Sequence, residues 1–174
     1  GYKTMSFVDE CKDRDPRMAA TLRCPGFKAD GVATPPDLKV ANTGYHLCKY
    51  YVGKKYESYS EVDLPVFRLG EVYLNYAEAK AELGTLTQKD LDDSINLLRK
   101  RAGVTGLLNM AEANANPCKW LQTKEFGYPN LVANAAKYGN DENLGVILEI
   151  RRERTVELVN EGFRQWDMLR WKEG

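Results

Sequence analysis

Between residues 149 and 161 the chain carries Glu149, Glu153, Glu157 and Glu161 at four-residue intervals, interleaved with Arg151, Arg152 and Arg154. Carboxylates so spaced share one face of a helix, and two of them can act as general acid and general base, as in glycoside hydrolases. The same spacing also builds ion pairs, because residues three or four apart are neighbours on a helix. Arg152, Arg154 and Arg164 lie one turn from Glu149, Glu157 and Glu161. A guanidinium at that distance keeps a carboxyl ionised, whereas a catalytic acid needs apolar surroundings that raise its pKa. The balance favours an inter-helix ion-pair network over a catalytic dyad. The apolar stripe of this segment runs Ile147, Ile150, position 154 and Leu158, and position 154 is arginine. A guanidinium in a core position needs a carboxylate partner, and Glu157 or Glu78 is the expected one.

Other catalytic constellations are missing from the sequence. It contains no G-x-S-x-G elbow, Walker loop, Rossmann fingerprint or H-E-x-x-H motif. The single histidine, His46, lies in Thr43-Gly44-Tyr45-His46-Leu47 without triad mates and reads as structural. Cys11, Cys24, Cys48 and Cys118 lack the paired spacing of a zinc site. They form one or two disulfides in an oxidising compartment or remain buried thiols in a reducing one, with three connectivities open. No catalytic residue, metal or cofactor is expected.

The aromatic residues offer a different chemistry. Trp120, Phe126 and Tyr128 lie near Asn116, Gln122 and Asn130. Flat aromatic faces stack on the C–H faces of sugar rings while amides hydrogen-bond the hydroxyls, so these three are the candidate ligand-binding residues. They serve equally well as anchors that pin their loop to a core. The tyrosine-dense run Tyr45–Tyr59 is open to the same two readings, with sheet or core packing the simpler.

The chain of 174 residues balances 25 Lys and Arg against 25 Asp and Glu. It has no cationic surplus for nucleic acid or anionic lipid. No stretch approaches the roughly 20 consecutive apolar residues of a membrane span. With 43% hydrophobic and 29% charged residues the composition is that of a globular protein with one domain's worth of core.

The elements that must position these groups fall into two regions. Residues 1–66 are broken by Pro16, Pro25, Pro35, Pro36 and Pro65 and read as an irregular lead-in of short strands and turns. Residues 67–174 read as a helical core. A helix is predicted from about Phe67 to Leu83, stopped by Gly84. Thr87 and Asp90 form a capping box for a second, along which Leu91, Ile95, Leu98 and Ala102 recur until Gly103. So short a link predicts antiparallel packing, in a hairpin of about the 34 residues of a tetratricopeptide repeat. Its first helix is expected to bury Leu69, Val72, Tyr73, Tyr76, Ala77 and Leu83, with Ala77, Ala79 and Ala81 admitting the partner. Residues 104–143, rich in Asn, Ala and Gly, read as one long functional or inserted loop. A third helix is predicted from about Leu144 to Asn160. A fourth, from Phe163 to Trp171, has Phe163, Trp166, Leu169 and Arg170 on one side.

Four blocks in order resemble the SusD/RagB family of Bacteroidetes outer-membrane proteins. They are Asp13-Arg14-Asp15-Pro16-Arg17-Met18 with Pro25-Gly26; Phe67-Arg68-Leu69-Gly70-Glu71-Val72-Tyr73-Leu74-Asn75-Tyr76-Ala77-Glu78-Ala79; Ile95-Asn96-Leu97-Leu98-Arg99-Lys100-Arg101-Ala102-Gly103; and Ile150 to Leu158 with Glu161-Gly162-Phe163-Arg164 and Leu169-Arg170-Trp171. The resemblance implies a mainly α, SusD-like fold of tetratricopeptide-like helical hairpins with long irregular loops. It implies a non-enzymatic, surface-exposed lipoprotein that captures glycans, or sometimes peptides, and delivers them to a SusC-like TonB-dependent transporter. The membrane would be reached only through a lipid anchor outside this chain, which reads as a C-terminal-half piece. Ligand positions in the family lie in variable loops, so none transfers by motif. Two other readings stand beside this one: a helical-repeat adaptor for protein partners, and an α-helical glycoside hydrolase using two of the four glutamates.

Overall fold

A computed structural model describes residues 4–56, 63 and 65–173. The chain divides into two compact units, residues 1–66 and 67–174, and it is mainly helical.

In the first unit, α1 (Phe7–Glu10) begins at Ser6, whose hydroxyl accepts the Asp9 amide, and α2 (Arg17–Thr21) follows. Strands β1 (Lys28–Ala29) and β2 (Val32–Ala33) pair antiparallel across Asp30-Gly31. Both turn residues have positive φ, 50° and 81°, which is what a two-residue hairpin turn requires and what Asp-Gly tolerates. An isolated bridge joins Leu22 to Leu47. His46 is half-buried, and its Nδ1 accepts the Asp37 amide at 3.1 Å, a structural role. Of the tyrosine run, Tyr45 packs edge-on against Phe7 and Tyr51 against Phe27, while Tyr59 lies outside the described residues.

The second unit is built around one helix. It comprises α3 (Leu69–Glu82), α4 (Gln88–Asp92), α5 (Ile95–Ala102), α6 (Met110–Ala115), α7 (Pro129–Asn134), α8 (Leu144–Glu157) and α9 (Arg164–Trp171). α8 packs most extensively against α3 and α6. Val146, Ile147, Leu148 and Ile150 are all sealed from solvent, so apart from Glu149 its first half is apolar on every side, the mark of a core helix. A side chain at Gly145 would collide with the Ala113 carbonyl, so the glycine permits the approach of α6.

Several sequence expectations are corrected. The buried face of α3 is Gly70, Leu74, Ala77, Glu78 and Ala81. Leu69, Val72, Tyr76 and Leu83 face outward, as does Ala79. The main partner of α3 is α8 rather than the next helix in sequence. The expected second helix is two: the capping box of Thr87 and Asp90 starts α4, but the chain leaves helical geometry at Ser94 before α5 begins. Gly84 and Gly103 end their helices with left-handed backbone, as expected. On α9, Trp166 and Leu169 are exposed, and Asp167 and Trp171 are the buried residues.

Residues 104–143 are not a structureless loop, because amide side chains tie them down. Buried Asn96 imitates a peptide group: its Oδ1 accepts the Leu108 amide at 2.7 Å and its Nδ2 donates to the Leu108 carbonyl at 3.1 Å. Gln88 Oε1 accepts the Met110 amide, and Asn109 caps α6. Asn114 Oδ1 accepts the Val146 amide at 2.8 Å, satisfying an N–H that the first turn of α8 leaves open. Such short, side-chain-capped helices give no hydrophobic period to read.

The second half of α8 is buried with its charges. Arg154 Nε pairs with Asp167 Oδ2 at 2.7 Å and Nη1 donates to Asn75 Oδ1 at 2.7 Å, so its carboxylate comes from α9, not from Glu157 or Glu78. Arg154→Leu should therefore lower unfolding free energy by about 3 kcal/mol, since Asp167 stays buried with only Arg170 beside it. The double replacement Arg154→Leu with Asp167→Leu should recover most of that loss in denaturant melts; equal loss in both would show that volume, not pairing, governs the site.

Candidate functional site

Each of the four glutamates on and after α8 is gripped by a guanidinium, mostly from another element. Arg99 on α5 pairs with Glu153 at 2.8 Å and with Glu149 at 3.6 Å. Arg68, preceding α3, pairs with Glu157 at 2.7 Å and Glu161 at 2.6 Å, and Arg101 adds a second bond to Glu157 at 2.6 Å. Against the sequence expectation, burial pushes the Glu149 carboxyl up and outweighs the pull of Arg152 and Arg99. Glu149 is nevertheless ion-paired to both arginines and does not stand alone in an apolar pocket. The geometry is that of an ion-pair lattice between helices.

The three candidate ligand residues part company. Trp120 and Phe126 stand at the surface, 58% and 53% exposed, with ring centroids 5.1 Å apart and planes inclined at 65°. Their segment is braced by the Tyr128 amide on the Leu121 carbonyl at 2.7 Å, by the Gly127 amide on that of Thr123, and by Gln122 Nε2 on that of Pro117. Tyr128 is 2% exposed and presents no face to a ligand. Its ring packs edge-on to Trp171 at 5.4 Å under the guanidiniums of Arg151 and Arg164, and its hydroxyl is hydrogen-bonded to Thr155 at 3.0 Å. That residue took the anchor role left open for it. The neighbouring amides are engaged too: Asn130 Nδ2 donates to the Trp171 carbonyl, and Asn130 Oδ1 accepts from Asn134.

A concave site lies elsewhere in this unit, where sequence reasoning did not place one. A cavity of about 300 Å³ is lined by Glu78 and Glu82 of α3, Asn130 and Leu131 of α7, Arg151 of α8, and Arg170 and Trp171 of α9, with Tyr138 and Asn140 from the α7–α8 connection. Tyr138 is about half exposed. Arg170 binds Glu78 through both terminal nitrogens, and the Trp171 indole N–H donates to Glu78 Oε1 at 2.6 Å. Arg151 reaches Glu173 at 3.3 Å and Glu82 at 3.6 Å, stacks on Trp171, and keeps a buried Nε without a hydrogen-bond partner. Glu173 also accepts the Asn130 and Leu131 amides at 2.9 and 2.8 Å and so caps α7. Around this hollow stand aromatic rings, amides and paired charges, which can hydrogen-bond and pack against a small polar molecule. Glu78, Arg151 and Arg170 are conspicuous in the sequence as charges, and Tyr138-Gly139-Asn140 as a turn. Only the fold brings them together.

A helical scaffold with engaged carboxylates, an exposed aromatic pair and a polar cavity is the class of molecule these features define. The family model described as SusD family matches residues 1–174, and the chain belongs to that family. No curated protein and no solved structure matches it.

The pairing of Glu78 has a pH signature. Burial alone would raise its carboxyl, but the hydrogen bonds from Arg170 and Trp171 outweigh that and hold it below its ordinary 4.5. The folded value is below the unfolded one, so the stabilisation is complete above about 4.5 and is lost as pH falls through the folded value. Glu78→Gln should lower the melting temperature at neutral pH, and the gap to wild type should close in acid. A gap that does not change with pH would assign the contribution of Glu78 to packing alone.

Proposed function

We propose that this chain is part of a non-enzymatic, surface-exposed outer-membrane lipoprotein that captures glycans and delivers them to a SusC-like TonB-dependent transporter. The observation that carries the reading is the SusD family match over residues 1–174. Three features support it. The formal net charge is zero, which suits uncharged sugar and offers nothing to a polyanion. Trp120 and Phe126 expose flat apolar rings of the kind on which pyranose C–H faces stack. The cavity beside Tyr138 offers amide, carboxylate and guanidinium groups to hydroxyls. Membrane attachment in this reading comes from a lipid anchor; no helix among the described residues is long and apolar enough to cross a bilayer.

Hydrolysis by two of Glu149, Glu153, Glu157 and Glu161 is the weaker reading, because arginines hold all four. Affinity electrophoresis through gels containing neutral polysaccharides should retard the protein without release of reducing ends. Trp120→Ala or Phe126→Ala should weaken retention about tenfold or more while leaving helical circular dichroism unchanged. Tyr138→Ala reports in the same way on the cavity. Released reducing sugar would replace capture with hydrolysis. Retention unaltered in both Trp120→Ala and Phe126→Ala would remove the aromatic pair from the site.

A further inference from the structure

The first unit holds three of the four cysteines, Cys11, Cys24 and Cys48. Cys11 caps the C-terminus of α1, and Cys24 stands immediately before the Pro25-Gly26 turn. Their sulfurs are 3.0 Å apart, with the Cys11 thiol directed at Cys24 Sγ. A disulfide needs a separation of about 2 Å, so closure asks for a sulfur movement of about 1 Å. The Cys48 thiol is directed elsewhere, at the Ala20 carbonyl 3.9 Å away. The fourth, Cys118, packs against the apolar core of the second unit.

We propose that Cys11 and Cys24 form a disulfide that cross-links α1 to the start of the β1–β2 hairpin region, by exchange with an external low-molecular-weight or protein disulfide. The thiolate of half-buried Cys11, the more accessible of the two, attacks one sulfur of the external disulfide; its own proton goes to solvent and one thiolate leaves. Cys24 then gives up its proton and attacks Cys11 Sγ, forming the intramolecular S–S bond and expelling the second external thiolate. Two protein thiols are oxidised and one external disulfide is reduced to two thiols, so atoms and electrons balance. Burial first, then the hydrogen bond and charge of Cys11, push the Cys24 thiol up to about 12. Once Cys11 is held in the mixed disulfide its thiol no longer opposes ionisation of Cys24, which eases the second step.

The packing of this unit gives the bridge a purpose. Among its described residues the only buried hydrophobic side chains are Cys24 and Ala29, and α1 contributes none. Its order rests on turns, on Tyr45 donating to Glu10 at 2.7 Å, and on Arg23 lying over Phe27 and Tyr51. A small unit whose described residues bury so little apolar surface is the setting in which a covalent link replaces missing burial.

The test is peptide mapping of the whole chain after equilibration with oxidised glutathione, followed by alkylation and tryptic digestion without reductant. Lys12 and Arg23 place the two cysteines in separate tryptic peptides unless they are bridged. The expected result is one joined species, lighter by two hydrogens than the sum of its peptides, that reductant separates. It should persist in Cys48→Ser, and the oxidised protein should melt several degrees above the reduced one. Full alkylation of Cys11 and Cys24 under these conditions, or a bridge from either to Cys48, would overturn the proposal.

Discussion

Burying a guanidinium is tolerable only where a carboxylate arrives in register, and in this molecule that requirement orders the whole second unit. α8 takes Arg151, Glu153, Arg154 and Glu157 into the interior. None of the four is neutralised by a neighbour on its own helix; each is met from another element. Arg68 and Arg101 reach Glu157, Arg99 reaches Glu153, Asp167 reaches Arg154, and Glu173 and Glu82 reach Arg151. Apolar packing between helices tolerates sliding by a fraction of a turn, whereas a paired buried charge does not, because a lost partner costs several kcal/mol. The apolar half of α8 supplies the burial energy, and the charged half selects one arrangement of α3, α5 and α9 around it.

This division explains what was legible in the sequence. Helix existence and ends were readable where local chemistry sets them: Thr87 with Asp90 begins a helix, and Gly84 and Gly103 end one. The apolar core of α8 was readable because Val146 to Ile150 is nearly continuous. The buried face of α3 was not. Hydrophobicity points to Leu69, Val72, Tyr76 and Leu83, yet the inward face includes Glu78, whose burial makes sense only once Arg170 and the Trp171 indole are opposite it. The partner of Arg154 was missed for the same reason. Spacing along one helix reveals neighbours three or four apart, but Asp167 is 13 positions away and comes close only after α9 folds back.

The asparagine-rich stretch 104–143 shows a second limit. High polarity with no period is the ordinary signature of a loop. Here Asn109 and Asn114, with Asn96 from α5, use their amides as surrogate backbone: Asn96 holds Leu108, Asn109 caps α6, and Asn114 accepts an open N–H in the first turn of α8. The same residue types that suggested ligand contacts are consumed by structure. Tyr128 follows this pattern, whereas Trp120 and Phe126, in the same stretch, are more than half exposed. The candidate site was thus half legible: exposed aromatics can be nominated from composition, but a cavity assembled from α3, α7, α8 and α9 cannot.

The cavity inherits its character from the lattice behind it. Arg170 is committed to Glu78, and Arg151 to Glu173 and Glu82, before any ligand arrives. A charged ligand would compete with these bonds and must offset the cost of an abandoned buried partner. A hydroxyl has no such conflict, since it can donate to a carboxylate lone pair left unused by the ion pair. Glu173 links the two levels, capping α7 with the carboxylate that also pairs with Arg151, so one side chain ties the wall carrying Asn130 to the wall carrying the guanidinium. The constraint that fixes the fold therefore also sets the groups that the hollow presents: paired charges, amides and the rings of Tyr138 and Trp171.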